Sequence, residues 1–271
     1  MSDFPKDIYT EPHPMDVDTL ANLGPLRAMA GIWEGQRGLD VKPKAEGPKK
    51  QAFHERIELQ PIDPQTNGPQ LLYGLRYHTH VTKPDQVKTY HDQVGYWLWE
   101  PATGAIIHTL TIPRGQVAMA GGQATADATE FELVATHGLD TWGICSAPFL
   151  EHAFKTTSFT IKVTVNEDGS WGYEEDTVLQ IRGQAAADAT EFELVATHGL
   201  DTYGICSAPF LQHAFKTTEF RIKVTINADG TWSYDEDTVL QILGRDEPFH
   251  HTDRNTLTKI AEPTPNPLAR S

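Results

Sequence analysis

Apolar and polar residues alternate with a period of two along most of the chain beyond residue 30. The alternation is clear in GIWEGQRGLDV, AFHERIELQPI, QLLYGLRYHTHV, TYHDQVGYWLWE and AIIHTLTIPRG, which are also rich in aromatic and β-branched residues. This period is typical of strands that bury one face. Helical periodicity extends over no useful length, so the pattern predicts an all-β fold.

Turn signals separate these segments. Proline, glycine and asparagine cluster over residues 61–69, and a second turn is predicted at 100–104. Antiparallel segments with turns about every 8–12 residues are typical of barrels and sandwiches. We therefore predict an antiparallel, up-and-down β-barrel or a sandwich.

The N-terminal segment 1–24 is rich in proline and aspartate and is predicted to wrap the outside of the domain. Asp16 or Asp18 can cap a short helix that runs to Leu23. A second short helix is predicted to open at Pro25, because proline favours the first helical position.

An internal repeat dominates the second half of the chain. Residues 123–183 recur at 184–244, and the two copies differ at only 11 of 61 positions. Apolar residues stay apolar, which predicts the same local structure and the same inward and outward alternation in both copies. For the copies to be entered from strands of the same direction, each must hold an even number of strands. We count four, one of them interrupted, with hairpin turns at 166–169 and 227–230.

Composition excludes several classes of function. Apolar residues make up 39% of the chain, and no run approaches the ~18 apolar residues of a transmembrane helix. The N-terminus lacks the basic start and apolar core of a secretory signal. A net charge of −15 disfavours nucleic acid and anionic membranes as partners.

The two cysteines, Cys145 and Cys206, occupy the same position in the two copies. Their number therefore reflects the duplication and not a disulfide design. We predict buried thiols and a reduced, cytoplasmic setting.

Histidines are the candidate functional residues, because the chain contains no Ser-His-Asp, P-loop, HExxH or zinc-binding pattern. His91 lies on a middle strand, and His250 and His251 precede the last strand. Adjacent residues of an extended segment point to opposite faces, so only one of His250 and His251 can face a barrel interior. The duplicated pairs His137 with His198 and His152 with His213 are predicted to be structural.

Two motifs together resemble one family. The first is Gly31-Ile32-Trp33-Glu34-Gly35 on the opening strand, after a short helix. The second combines the segment YHDQVGYW (90–97) with EPFHHTD (247–253) before the final strand. This pattern resembles the nitrobindin family, ten-stranded haem-binding barrels of the lipocalin-like and fatty-acid-binding-protein-like class. The resemblance covers about residues 22–262 if one repeat copy is counted as extra.

The resemblance implies a site and an activity. It implies a ferric haem b in the barrel mouth, His251 as the iron ligand, His91 on the distal side and Trp33 at the closed end. His250 is the alternative ligand, because the alignment with the last strand leaves a one-residue mismatch. The implied chemistry is peroxynitrite isomerisation to nitrate and nitric oxide binding. The family's usual GxWxGxG reads GIWEGQRG here, so a different bulge or register is expected on this strand.

The duplication predicts a barrel larger than the ten-stranded one of the family. Four added strands predict a single barrel of about fourteen strands over residues 1–271, with an N-terminal extension at 1–24 and a flexible tail at 262–271. The competing arrangement is a domain-swapped dimer, so the chain is expected to be a monomer or such a dimer. A wider lumen also leaves two other functions open: a carrier of a bulky hydrophobic ligand, or an enlarged barrel without ligand function.

Overall fold

The structure, a computed structural model, describes residues 4–44, 48–181, 194–198, 204–226, 229 and 231–263, and for 194–198 and 226 the backbone alone. Two short helical segments open the described chain. Helix α1 spans Thr19–Asn22, where the Asp18 carboxylate accepts a hydrogen bond from the Ala21 amide at 3.1 Å. A 3-10 helix follows at Gly24–Met29, with a proline in its first turn. Both predicted helices are thus confirmed.

Seven strands precede the repeat. They are β1 (Gly31–Lys42), β2 (Lys49–Pro61), β3 (Gln65–Asn67), β4 (Gln70–Thr82), β5 (Thr89–Glu100), β6 (Ala105–Ile112) and β7 (Gln116–Gln123). Five of them, β1, β2, β4, β5 and β6, match the five alternating segments of the sequence, and β3 and β7 are additional. The expected irregularity of the opening strand is present, because the register between β1 and β2 shifts between Gly35 and Gly38. A Cβ at Gly38 would lie 2.2 Å from the Phe53 ring, so a larger residue there would have to displace that ring.

The first copy of the repeat holds four strands and one helix. These elements are β8 (Glu130–His137), β9 (Gly143–Ser146), α2 (Pro148–Ala153), β10 (Phe154–Val165) and β11 (Trp171–Ile181). The predicted count of four strands is confirmed, with α2 as the interruption. The expected common direction of the two entry strands is not found, because β9 is parallel to β8 and β11 therefore runs opposite to β7. The predicted hairpin turn ends at Gly169, whose φ of 81° is a left-handed conformation that glycine adopts readily.

The second copy repeats this order among its described residues. It contains β12 (Leu194–His198), β13 (Gly204–Ile205), α3 (Pro209–Ala214), β14 (Phe215–Ile226) and β15 (Trp232–Ile242), and the chain continues into β16 (Phe249–Leu257). Apart from Asp229, the predicted turn at 227–230 lies outside the described residues, as does most of the predicted tail.

The strands form two sheets. The first has eleven strands, ten of them in the order β1-β2-β4-β5-β6-β7-β9-β8-β10-β11, and β3 pairs with β4. The second has five strands in the order β13-β12-β14-β15-β16. Within the first sheet β9 lies between β7 and β8 and is parallel to β8, so the wall departs there from a simple up-and-down meander.

The all-β, curled and mostly antiparallel architecture is confirmed, but the enlargement to one continuous barrel of about fourteen strands is not. The second copy lies in its own sheet, and among the described strands β16 pairs with β15 and not with β1. The short connection from β15 to β16 makes their pairing local. A wall widened by four strands would instead enclose a lumen that its side chains could not fill.

The main core fills the interior of the first sheet. Leu23, Leu26 and Met29 from the helical segments are fully buried and plug one end, together with Trp99. The second sheet packs against the outside of the first: Ala208 is buried against Leu72 and Ile107. The N-terminal segment follows the outside as predicted, with Ile8 buried beside Phe210 of the second copy.

Candidate functional site: a cavity inside the first sheet

A cavity of about 700 Å³ lies inside the first sheet, within the usual ~300–1,000 Å³ of small-molecule sites. Its wall comes from β1, β2, β4, β5, β6, β7, β10 and β11. Phe149 on α2 and Phe154 at the start of β10 stand at its open side, each about half exposed. The 3-10 helix plugs the opposite end.

His91 lines this cavity on β5. Its Nε2 atom lies 3.2 Å from Oε1 of Gln93, and the side chain is partly buried. Desolvation lowers the pKa of His91. The hydrogen bond to Gln93 partly opposes this, and the positive charge of Arg114 adds to the lowering. The ring is therefore a neutral imidazole near pH 7, which is the protonation state of a metal ligand.

His108 lies at the cavity floor and is fully buried. Its ring stacks on Trp97 with centroids 3.9 Å apart, and its Nε2 lies 2.9 Å from the Tyr77 hydroxyl. Gln93 donates to that hydroxyl at 2.7 Å, so the Tyr77 proton points to Nε2 and the histidine proton sits on Nδ1. Desolvation lowers the pKa of His108 to about 3.

The Nδ1 atom of His108 is buried and has no hydrogen-bond partner in the described part of the protein. An unsatisfied buried donor costs about 1–3 kcal/mol. A buried group without a partner next to a cavity is the kind of feature that a bound ligand can satisfy.

A second polar cluster faces the lumen from β2 and β11. The Tyr173 hydroxyl donates to Glu55 at 2.5 Å, and Glu175 lies on the same face of β11. By surface area Glu175 is exposed, but that surface opens into the cavity, where protein lies on nearly every side. Desolvation by this confinement raises the pKa of Glu175 to about 7, and the negative charge of Glu55 makes the smaller contribution to that rise.

The open side of the cavity carries positive charge. Lys42, Lys44 and Arg114 lie there, and Arg114 donates to the Tyr90 backbone carbonyl at 3.0 Å. The Lys42 ammonium donates to the Tyr90 hydroxyl at 2.5 Å, and that hydroxyl donates to Asp40. The chain is acidic as a whole, so this basic rim is a local feature.

Of the predicted site residues, the structure places only His91 on the cavity. Trp33 lies at the plugged end, where its ring nitrogen donates to the Met29 carbonyl at 2.8 Å, and it is not among the lining residues. His250 and His251 lie on β16 in the second sheet, both exposed, with His250 2.9 Å from Asp237. His251 and His91 are therefore on different sheets. The last strand was expected to pair with β1, and among the described strands it does not.

The sequence reasoning missed His108, Tyr77, Gln93, Glu55 and Glu175. His108 occurs in AIIHTLTI, where an isolated histidine among apolar residues gives no sign of its partners. The alternation did carry one usable signal: His91 and Gln93 on β5 fall on the same inward face. Trp97 and Trp99 are buried, whereas Tyr96 is exposed.

The predicted structural role of His137 agrees with its surroundings. His137 Nε2 lies 3.1 Å from Glu151 on α2, and Lys155 contacts the same carboxylate. In the second copy Gln212 replaces Glu151, so that charge is missing there. The described residues contain no group of three or more histidine, cysteine or acidic side chains arranged to hold a metal ion.

The fold and cavity define a ligand-binding class of β-barrel. The family of THAP4-like, heme-binding beta-barrel domains matches residues 22–194, more than half of the chain. The chain belongs to this family, which is the nitrobindin family. The match ends at the start of the described part of the second copy, so β16 lies outside it.

No curated protein matches the chain. Among solved structures it is similar to Rv2717c from M. tuberculosis, with 15% sequence identity, coverage of 90% of this chain and 99% of that chain, and a TM-score of 0.30. At that score the fold assignment rests on the family match and on the strand topology. Among the described residues, no helix has both the length and the apolar character needed to cross a membrane.

Proposed function

We propose that the protein binds ferric haem b in the cavity of the first sheet. The observation that carries this proposal is a neutral imidazole, His91, on the wall of an apolar cavity whose open side is basic. A neutral imidazole beside a bound haem can donate or accept a hydrogen bond, and the polarity of the pocket decides what the iron binds. When bound, ferric haem supplies an iron centre for nitric oxide binding and for isomerising peroxynitrite to nitrate.

The residues present fit such a group at three places. Lys42, Lys44 and Arg114 can hold the two carboxylates of a porphyrin at the open side. Tyr77, Trp97 and Ile57 supply apolar lining for the macrocycle. His91 stands near Gln93, which keeps the imidazole oriented and adds a polar atom to the distal pocket.

His251 is proposed as the iron ligand, by its position in the family pattern. Because β16 lies in the second sheet in the structure, this role requires an arrangement that brings β16 to the cavity. His91 is proposed to act on the distal side, where it excludes or orients water and donates or accepts a proton at Nε2. With this division, loss of His251 removes affinity, whereas loss of His91 changes what the site binds.

A hemin titration followed by the Soret band tests the proposal. We expect a shifted Soret band for the unmodified protein, loss of the band in His251→Ala, and a retained but altered band in His91→Ala. His250→Ala is the matched control, because it removes the neighbouring imidazole. Loss of the band in His250→Ala but not in His251→Ala would reverse the ligand assignment. No hemin binding by the unmodified chain would reject the proposal.

A carrier of a bulky hydrophobic ligand is the second candidate. The polar cluster of Glu55, Tyr173 and Glu175 favours it, because a hydrogen-bonding head group would find acceptors inside an otherwise apolar lumen. Native mass spectrometry of the purified protein checks it: a co-purified lipid would support the carrier, and ligand-free protein would not.

A further inference from the structure

The two ends of the first sheet have unpaired edges. The continuous path begins at β1 and ends at β11, and no described strand pairs with either beyond that path. Their inward side chains nevertheless meet: the rings of Trp33 and Trp171 are 6.2 Å apart, and Tyr173 reaches Glu55. Side chains therefore bridge this seam, but backbone hydrogen bonds do not. Such edges are templates for a further strand.

One described strand is suited to this seam. Strand β16 is the outer strand of the second sheet, where it pairs with β15 from Trp232↔Leu257 to Leu240↔Phe249. No described strand pairs with its other edge. It follows β15 directly, and β15 is the counterpart of β11.

The two copies are interchangeable as pieces of wall. Strands β10 and β11 pair in the same register as β14 and β15, with the same irregularity after Thr156 and Thr217. The cavity-lining positions that the first copy supplies, such as Glu175, hold the same residue types in the second, and all 11 differences fall elsewhere. Replacing one copy by the other would leave the lining unchanged.

We propose that the two copies exchange places in the barrel wall, and that the arrangement with the second copy in the wall brings β16 into the seam beside β1. The pairings among the strands of the second sheet are kept in this arrangement. Strand β7 pairs with β13 in the way that it now pairs with β9. Two free edges, of β16 and β1, gain hydrogen bonds. The first copy then takes the outer position. It can do so because it contains the same residues that now pack the second copy against the wall.

The exchange decides which histidine enters the cavity. His251 lies directly opposite Thr238, the counterpart of Thr177, which lines the cavity. Side chains of opposite residues in an antiparallel pair lie on the same face. His251 therefore faces the lumen in the exchanged arrangement. His250, opposite Val239, faces outward.

The role of His251 as a haem ligand rests on the proposed function, whereas the exchange of the two copies does not. A ligand that uses His251 binds only the exchanged arrangement, so it shifts the population toward it. The duplicated barrel would then be completed in the presence of ligand and open along the seam in its absence.

Matched cysteine pairs in the full-length chain test the exchange. In the structure Gln116 on β7 lies opposite Ser146 on β9, with their side chains bonded at 3.0 Å inside the wall. The pair Gln116→Cys and Ser146→Cys locks this arrangement. The pair Gln116→Cys and Ser207→Cys locks the exchanged one, since Ser207 is the counterpart of Ser146. Directly opposite residues have the Cα separation that a disulfide needs.

The second pair reports only the exchange, because Ser207 now lies on the other side of the wall. The Sγ atoms of Cys206 and Cys145 are 3.3 Å apart, and Cys145 points to the face of β9 opposite that of Ser146. Both variants carry Cys145→Ser and Cys206→Ser. Gln116→Cys with Lys223→Cys is the control for chance collisions, because these positions are opposite in neither arrangement.

Oxidation, a non-reducing gel and peptide mapping give the result. We expect a monomeric 116–207 cross-link above the level of the control, a higher yield with hemin, and hemin affinity about 5- to 150-fold greater in the chain locked at 207 than in that locked at 146. A 116–146 cross-link alone, with or without hemin, overturns the exchange even if hemin binds. A 116–207 cross-link between two chains also overturns it, because the wall would then come from a second molecule. A monomeric 116–207 cross-link in a chain that does not bind hemin supports the exchange and rejects the haem proposal.

Discussion

The two copies of the repeat provide an internal comparison, because nearly the same sequence occupies two environments. Strands β10 and β11 pair as β14 and β15 do. Val163 and Ile161 are buried in the barrel wall, whereas Val224 and Ile222 are only partly buried. Local sequence sets the strands, the bulge and the register. Burial depends on what lies opposite: the first copy faces the lumen of the first sheet, and the described strands of the second copy do not.

The difference runs the other way at the helices. Phe149 on α2 is 53% exposed at the mouth of the cavity, whereas its counterpart Phe210 on α3 is 3% exposed. The N-terminal segment covers Phe210, with Phe4 in edge-to-face contact at 5.8 Å. One copy therefore lines the cavity, and the other anchors the N-terminal segment.

The largest expected contrast is in the strand core. Phe159→Ala should cost about 3–5 kcal/mol of unfolding free energy, the usual cost of emptying a buried phenylalanine site, and Phe220→Ala clearly less. Urea unfolding of each variant measures this in the chain locked by the 116–146 disulfide, where the copies cannot exchange. Equal losses would show that the two copies share one environment. Without the lock, exchange should shrink the Phe159→Ala loss.

A reversed contrast is expected at the helices. Phe210→Ala should cost about 2–4 kcal/mol, because it empties a buried site against Ile8, whereas Phe149→Ala should cost less than about 1 kcal/mol. Thermal unfolding in the same locked background checks the order. A larger loss for Phe149→Ala would mean that the N-terminal segment packs on the first copy instead.

The pH dependence of stability should sharpen the comparison at the inward carboxylates. The raised pKa of Glu175 means that the folded state binds its proton more tightly than the unfolded chain. Its favourable contribution is complete below about pH 4.5 and is lost as the pH rises toward 7. Because the side chain meets cavity water, we expect a change of only about 1 kcal/mol. Glu175→Gln should flatten the stability profile over this window.

The matched control is Glu236→Gln in the second copy. It should leave the profile over this pH window unchanged in the locked chain. A profile flattened equally by both substitutions would contradict the assignment of the raised pKa to the cavity.

The smallest expected effect concerns the natural difference at position 151. Glu151→Gln gives the first copy the residue of the second and removes contacts to His137 and Lys155. We expect a loss of about 0.5–1 kcal/mol, as for partly exposed ion pairs. Gln212→Glu is the reciprocal change and should gain less than this. Chemical denaturation at pH 6 measures both, and no change in either would remove the ion pair as a distinction between the copies.

Much of the wall was predictable from residues close in sequence. The alternation in TYHDQVGYWLWE places His91, Gln93 and Trp97 on one face, and Asp18 and Pro25 mark the two helical segments. The GIWEGQRG spacing signalled the shift between Gly35 and Gly38. These features depend on backbone geometry within a few residues, which alternation, caps and glycines report directly.

The family could also be identified from the sequence, but the strand count of the barrel could not. Whether β16 pairs with β15 or with β1 depends on the difference in free energy between a local hairpin and a long-range contact. The residues of β16 are compatible with both pairings. For the same reason the sequence placed His251 beside the lumen of a single enlarged barrel, whereas the structure holds it in a second sheet.

The sequence by itself determined the strands, the repeat, the inward position of His91 and the family, because each follows from local pattern. Only the tertiary structure decided which copy forms the wall, that His108 is buried against Trp97 and bonded to Tyr77, and that Glu55, Tyr173 and Glu175 meet inside the lumen. These outcomes depend on which of several compatible strand edges and faces come together, and near-identical sequences cannot distinguish them.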